Sequence, residues 1–197
     1  MMESVVIGSV MLQSVVLIAV CSVVAGLLSK LSNPFPLGVL THQSHGIPAG
    51  DSFPILAFDW IDASRHHDFA HGGGTVVVLT SPDCGACKML YPVLPRFARE
   101  HPDIRVVSLM LGDRESVRSV VDEYGLHMPV AAIDHDELRT LRTEIFPFAY
   151  LLSPDGKVMA KGLTMNEDHL KILASELTKK TNKRKIYKNR KSRGLAI

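Results

Sequence analysis

The sequence predicts an α/β domain, a mixed sheet flanked by helices, carried behind an N-terminal transmembrane helix. Three observations predict it. Apolar, β-branched runs alternate with stretches of helical spacing. A turn signal near the C-terminus joins two further runs into a hairpin. The first thirty residues hold a long uncharged stretch.

That stretch, Ser4 to Ser29, is 26 residues without a charge, between Glu3 and Lys30. A helix of about 20 apolar residues crosses the hydrocarbon core, so this one is long enough. A buried core helix fits poorly, because apolar residues occupy every face. A cleaved signal peptide is the nearer rival; its positive n-region is missing, and the run exceeds an ordinary h-region. The boundaries expected are 1–31 for the anchor, 32–52 for a linker, 53–178 for the folded domain and 179–197 for a basic, disordered tail. Pro34, Pro36, Gly38, Gly46, Pro48 and Gly50 mark the linker.

Phe53 to Trp60 reads as a short first strand, and Asp62 to Gly74, with His66, His67 and His71, as a loop. Thr75 to Thr80 is a β-branched run suited to a strand buried on both faces. A helix follows from Cys84, with Cys87, Leu90, Leu94 and Phe97 at helical spacing. Ile104 to Leu111 is a second buried strand. Asp113 then caps a helix that turns Val117, Val120 and Val121 inward. Pro129 to Ile133 reads as a short strand and Asp136 to Glu144 as a short helix. Phe148 to Leu152 and Lys157 to Lys161 flank the turn Ser153-Pro-Asp-Gly156. Thr164 and Glu167 form a capping-box pattern before a last helix ending near Leu177.

Charge divides the chain. Nine of the 22 Lys and Arg lie between Lys179 and Arg193, and no acid follows Glu176. The remainder holds 13 bases against 20 acids, a net −7. The tail could meet anionic lipid or be simply solvated. Tyr187 is its one aromatic residue, so no nucleic-acid partner is expected.

Three cysteines are too few for a disulfide scaffold, and Cys21 lies in the apolar run. Cys84 and Cys87 remain. No second CxxC accompanies them, which argues against structural zinc. Their spacing places both sulfurs within one helical turn, and the strand-to-helix junction places Cys84 at a helix N-terminus. Free N–H groups and a partial positive charge there stabilise a thiolate, lowering the Cys84 pKa below its usual ~8.5. Cys84 is the candidate nucleophile. Cys87, pointing back into the helix, would resolve a mixed disulfide. Gly85 lets a partner chain approach. Two buried, unreactive cysteines are the plain alternative.

Cys84-Gly-Ala-Cys-Lys-Met-Leu-Tyr-Pro92 resembles the active-site helix of thioredoxins, with Lys88 after the pair and Pro92 five residues beyond Cys87. Ile145-Phe-Pro-Phe-Ala-Tyr-Leu-Leu-Ser-Pro-Asp-Gly-Lys-Val158 resembles the proline-led strand and hairpin of redoxins of the TlpA and ResA type. Gly46 to Phe53 resembles the entry to their domain. Anchor and domain together look most like membrane-tethered bacterial thiol–disulfide proteins, including those of methylamine-dehydrogenase maturation.

The resemblance implies thiol–disulfide exchange with a client protein. Cys84 attacks and Cys87 resolves. Pro147 is the cis-proline, with Pro129 as rival, and Phe146 exposes its backbone to the substrate beside Gly85 and Ala86. Lys88 and Pro92 support the site. It implies no organic cofactor, a membrane redox partner, and a single-pass protein of the bacterial inner membrane whose domain faces the periplasm. Lys30, a weak positive flank, argues mildly the other way.

Three departures bear on redox direction. Asp83 stands where thioredoxins carry tryptophan, and its carboxylate opposes ionisation of the neighbouring thiol, an effect softened if it serves as the helix cap; the dipeptide is Gly-Ala; and Phe148 replaces the threonine common after the cis-proline. A thioredoxin-fold binding or metal-delivery module is the alternative. The three loop histidines raise copper, but such chaperones use a CxxxC spacing, and no metal site is expected.

Overall fold

A computed structural model describes residues 45–62, 69 and 72–177, together with 17, 19–22 and 24. The described residues near the N-terminus are helical, with Leu17, Val20 and Val24 exposed. Among the described residues no helix is long and apolar enough to cross a membrane. The anchor reading falls mostly outside them, and the tail, the first part of the linker and His66, His67 and His71 lie wholly outside.

Among the described residues six strands form one sheet in the order β1-β4-β3-β2-β5-β6. They are β1 (Asp59–Trp60), β2 (Thr75–Thr80), β3 (Arg105–Leu111), β4 (Val130–Ile133), β5 (Phe148–Leu152) and β6 (Val158–Leu163). Strands β2, β3 and β4 are mutually parallel, while β1, β5 and β6 pair antiparallel with their neighbours. The helices are α1 (Gly85–Leu90), α2 (Val93–Glu100), α3 (Arg114–Tyr124), α4 (His135–Thr140) and α5 (167–177).

Alternate residues of the central strands feed two cores, as the two-residue period requires. Val76, Val78, Ala149 and Leu151 pack with Cys87, Leu90, Leu94, Phe97, Leu170 and Leu173. Val77, Leu79, Phe148 and Tyr150 pack with Phe53, Phe58, Phe69, Leu138 and Leu141.

Four expectations needed correction. The first strand shrinks to Asp59–Trp60, because Phe53 and Phe58 are buried by side-chain packing while the backbone between them stays outside the sheet. The helix expected from Asp136 starts at His135, capped by Asp134 in a reciprocal box with Glu137, and gives way at Leu141. The box expected at Thr164 does not form: Thr164 donates its hydroxyl to the Gly162 carbonyl, and Asn166 caps α5 through His169 N at 3.0 Å. Glu167 instead pairs with Arg96 of α2 and with Lys171. Finally, the segment 46–52, grouped with the linker, is packed. Ile47 is buried, Gly50 N donates to Val158 O at 2.8 Å, and Ser52 bridges Lys157.

Candidate functional site

Strand β2 is wholly buried and delivers the chain at its C-terminal end to Ser81, Pro82 and Asp83. Cys84 N donates to Ser81 O at 3.1 Å, turning the chain into α1. Cys84 itself is the N-cap: its backbone is extended (φ −82°, ψ 108°) and its Sγ accepts from Cys87 N at 3.2 Å. A sulfur in that position takes up one of the donors that a helix start leaves open, which is the geometry that favours a thiolate. Asp83, considered as the cap, is exposed and does not cap.

Cys84 and Cys87 form a disulfide, with Cα atoms 5.2 Å apart. Cys84 is half-buried at the surface, whereas Cys87 is fully enclosed by the core. Gly85 is exposed, with no atom near where a side chain would stand. Ala86 is half-buried and Lys88 exposed. Helix α1 ends at Leu90 and α2 starts at Val93; Tyr91 and Pro92 between them keep right-handed helical backbone, so Pro92 interrupts the helical hydrogen bonding without reversing the chain.

Tyr91 lies beneath the pair. Its Oη donates to Ser81 O at 2.8 Å, the same carbonyl that receives Cys84 N. Burial pushes its pKa up to about 12. Sequence reading passed over Tyr91, although its place four residues after Cys87 puts it on the same helical face.

The Phe146–Pro147 peptide bond is cis. Pro147 is buried, and its carbonyl accepts Thr164 N at 3.1 Å; Phe146 is half-buried and borders both cores. Strand β5 runs antiparallel to β2 with Phe148 opposite Leu79. The start of β5 therefore lies at the end of β2, and Pro147 at the sheet end from which Cys84 emerges. Pro129 precedes β4 and passes its carbonyl to Ser108 N. Met89 on α1 and Met165 after Thr164 are exposed apolar side chains. Among the described residues no group of three or more His, Cys, Asp or Glu is placed to hold a metal.

A parallel β2-β3-β4 core, an antiparallel hairpin, a CxxC at the start of the helix after β2 and a cis-proline before β5 define a thioredoxin-like fold. Solved structures share the fold. The chain superposes on a protein assigned as the thiol:disulfide interchange protein DsbE of Chlorobium tepidum with a TM-score of 0.58 (16% identity, 66% of this chain, 99% of the other). It superposes on the thioredoxin domain of a thiol-disulfide oxidoreductase of Bacteroides vulgatus with a TM-score of 0.54 (18% identity, 63% and 93%). No family model matches the chain. Its curated relatives are of the MauD kind: the methylamine utilization protein MauD of Paracoccus denitrificans is 26% identical over 148 residues, 75% of this chain and 74% of the relative. That of Methylorubrum extorquens is 28% identical over 153 residues, 75% and 72%.

Proposed function

We propose that the protein is a membrane-tethered thiol–disulfide oxidoreductase that exchanges disulfides with a cysteine-bearing client protein, as a maturation factor of the MauD kind. The observation that carries the chemistry is the half-exposed Cys84, bonded to an enclosed Cys87, at the N-terminus of a helix.

In the reducing direction the Cys84 thiolate attacks one sulfur of a client disulfide. A mixed disulfide forms, and the client's other sulfur leaves as a thiolate that takes up a proton. Cys87 then loses its proton and attacks Cys84 Sγ. The Cys84–Cys87 bond forms and the client's second thiolate departs. Two electrons pass to the client and no organic cofactor is needed; the oxidising direction reverses each step. Phe146 and cis-Pro147 are the segment against which the client backbone is placed. Gly85 and Ala86 leave room for it, and Lys88 and Pro92 support the helix that carries the pair.

The tether is the uncharged run Ser4 to Ser29. Exposed Leu17, Val20 and Val24 suit contact with lipid. A single span in a bacterial inner membrane with the domain in the oxidising periplasm fits the chemistry, and a membrane redox partner would then reset the pair.

The test is a redox titration with thiol trapping at defined dithiothreitol ratios. A reversible two-electron transition is expected in the wild type and is absent in Cys84→Ser. A midpoint near ~−270 mV marks a reductant and one near ~−120 mV an oxidant. Absence of any reversible couple sinks the exchange reading.

A further inference from the structure

Lysine is almost never enclosed without a charged partner. Lys161 of β6 is 9% exposed, and its Nζ donates not to a carboxylate but to the backbone carbonyl of Gly46, at 2.7 Å. Gly46 lies more than a hundred residues away in sequence, where the chain enters the domain. Its N–H donates to the carbonyl of Arg142, and the next residue, Ile47, donates to Tyr150 Oη at 3.2 Å. Tyr150 Oη in turn donates to the carbonyl of Leu141. The entry segment is therefore joined through three bonds to Leu141 and Arg142.

Those two residues are the root of the loop that ends in Phe146 and cis-Pro147. Arg142 takes a left-handed backbone (φ 56°), which a side chain bearing a Cβ resists. Thr143 is buried and receives Ile145 N on its hydroxyl at 3.3 Å. The fit at the other side is close: a Cβ on Gly46 would lie 2.7 Å from Tyr150 Oη and 3.0 Å from the ring of Phe148. The entry segment thus presses on the residue directly after the cis-proline and is bonded to the residues that open the loop before it.

We propose that Lys161 is a positioning residue: by clamping Gly46 it makes the entry segment a brace for the 141–147 loop, and so sets the geometry in which that loop receives the client backbone. This rests on the exchange reading above. The reacting sulfurs belong to another element, so the brace governs recognition of a peptide and not the chemistry of small thiols.

The experiment uses the full-length chain in mild detergent and compares wild type, Lys161→Gln, Lys161→Arg and Gly46→Ala. Each is reacted, with its cysteine pair reduced, with a cysteine-containing peptide disulfide and, separately, with its pair oxidised, with dithiothreitol. Losing a charge-assisted hydrogen bond loosens the clamp, and only part of that loss reaches the loop. We expect the single-turnover rate constant at low peptide concentration to fall about three- to tenfold in Lys161→Gln through weaker peptide binding, with the dithiothreitol rate and midpoint potential unchanged. Lys161→Arg should restore part of the peptide rate. Gly46→Ala, which keeps every charge, should show the same split and carries the test if Lys161→Gln is poorly folded. Equal slowing with both reagents, or no slowing with either, in a folded variant overturns the brace. A wild type inert to both reagents defeats the exchange reading instead.

Discussion

Two buried tyrosines allow one substitution to be made twice with different results. Tyr91 and Tyr150 are both fully enclosed, and each offers its hydroxyl to a backbone carbonyl. In Tyr91→Phe the Ser81 carbonyl loses one donor but keeps Cys84 N at 3.1 Å. The cost is that of a net hydrogen bond, about 1 kcal/mol. In Tyr150→Phe both Leu141 O and Ile47 N, the latter buried, lose the hydroxyl that joins them. Two orphaned groups at about 1–3 kcal/mol each bring the cost to roughly 2–6 kcal/mol. Urea unfolding followed by circular dichroism resolves the two, since a slope of about 1–3 kcal/mol per molar turns the difference into a midpoint gap of roughly 1 M. Both tyrosines also have pKa values raised by burial to about 12. A raised phenol contributes stability that is complete below its unfolded value near 10 and is lost as pH climbs toward 12, at about 1.4 kcal/mol per pH unit. Wild type should therefore weaken steeply between pH 10 and 12, and each variant less so. Equal costs at pH 7, or a larger cost for Tyr91→Phe, would refute the accounting of hydrogen-bond partners.

The ion-pair cluster of α2 and α5 carries a second expectation. A hydrogen bond from Lys171, with Arg96 alongside, holds the Glu167 carboxyl below its ordinary 4.5. That contribution is present above the unfolded value and is lost as pH falls through the folded one. The melting difference between wild type and Glu167→Gln should thus be measurable at pH 7 and shrink as pH falls below 4.5. Gly74→Ala tests the edge where β2 begins. Gly74 has φ +90°, and a Cβ there would lie 2.7 Å from the carbonyl of Leu152, a backbone atom fixed in β5. The left-handed cost and the overlap together predict a loss of about 2–4 kcal/mol, read as a lower melting temperature.

The sequence is most legible where a local signal and the tertiary environment agree. Thr75 to Thr80 and Phe148 to Leu152 are strands over their full expected lengths, because both are continuous apolar or β-branched runs bounded by turn residues. Asp113 caps α3 through Glu115 N and Ser116 N, a bond made within four residues and therefore readable. The pair Cys84 and Cys87 announces itself by spacing and by the strand before it. What escaped reading is held by distant contacts. The Pro and Gly content of 46–52 marks irregular backbone, but nothing local says that Ile47 is enclosed beneath Tyr150. Lys161 closes the run Lys157 to Lys161, and nothing within that run signals its burial, which depends on a carbonyl 115 positions earlier. At α5, Thr164 and Asn166 are both competent caps, and the descent of β6 past Pro147 decides between them by engaging Thr164 N.

Strand register links the brace to the reacting pair. With Leu79 opposite Phe148 and Val77 opposite Tyr150, Phe148 and Tyr150 both enter the core that contains Ile47 and Leu141. A slip of one residue would turn both rings to the opposite face. The same slip would lift Tyr150 Oη from Leu141 and displace Pro147 along the end of β2, where the chain leaves for Cys84. The fully buried β2 resists it on both faces, since Val76 and Val78 are committed to the other core. The residues that pack the sheet thus also fix where the proline stands relative to the sulfurs, and the brace acts on what register leaves adjustable: the loop between Leu141 and Pro147.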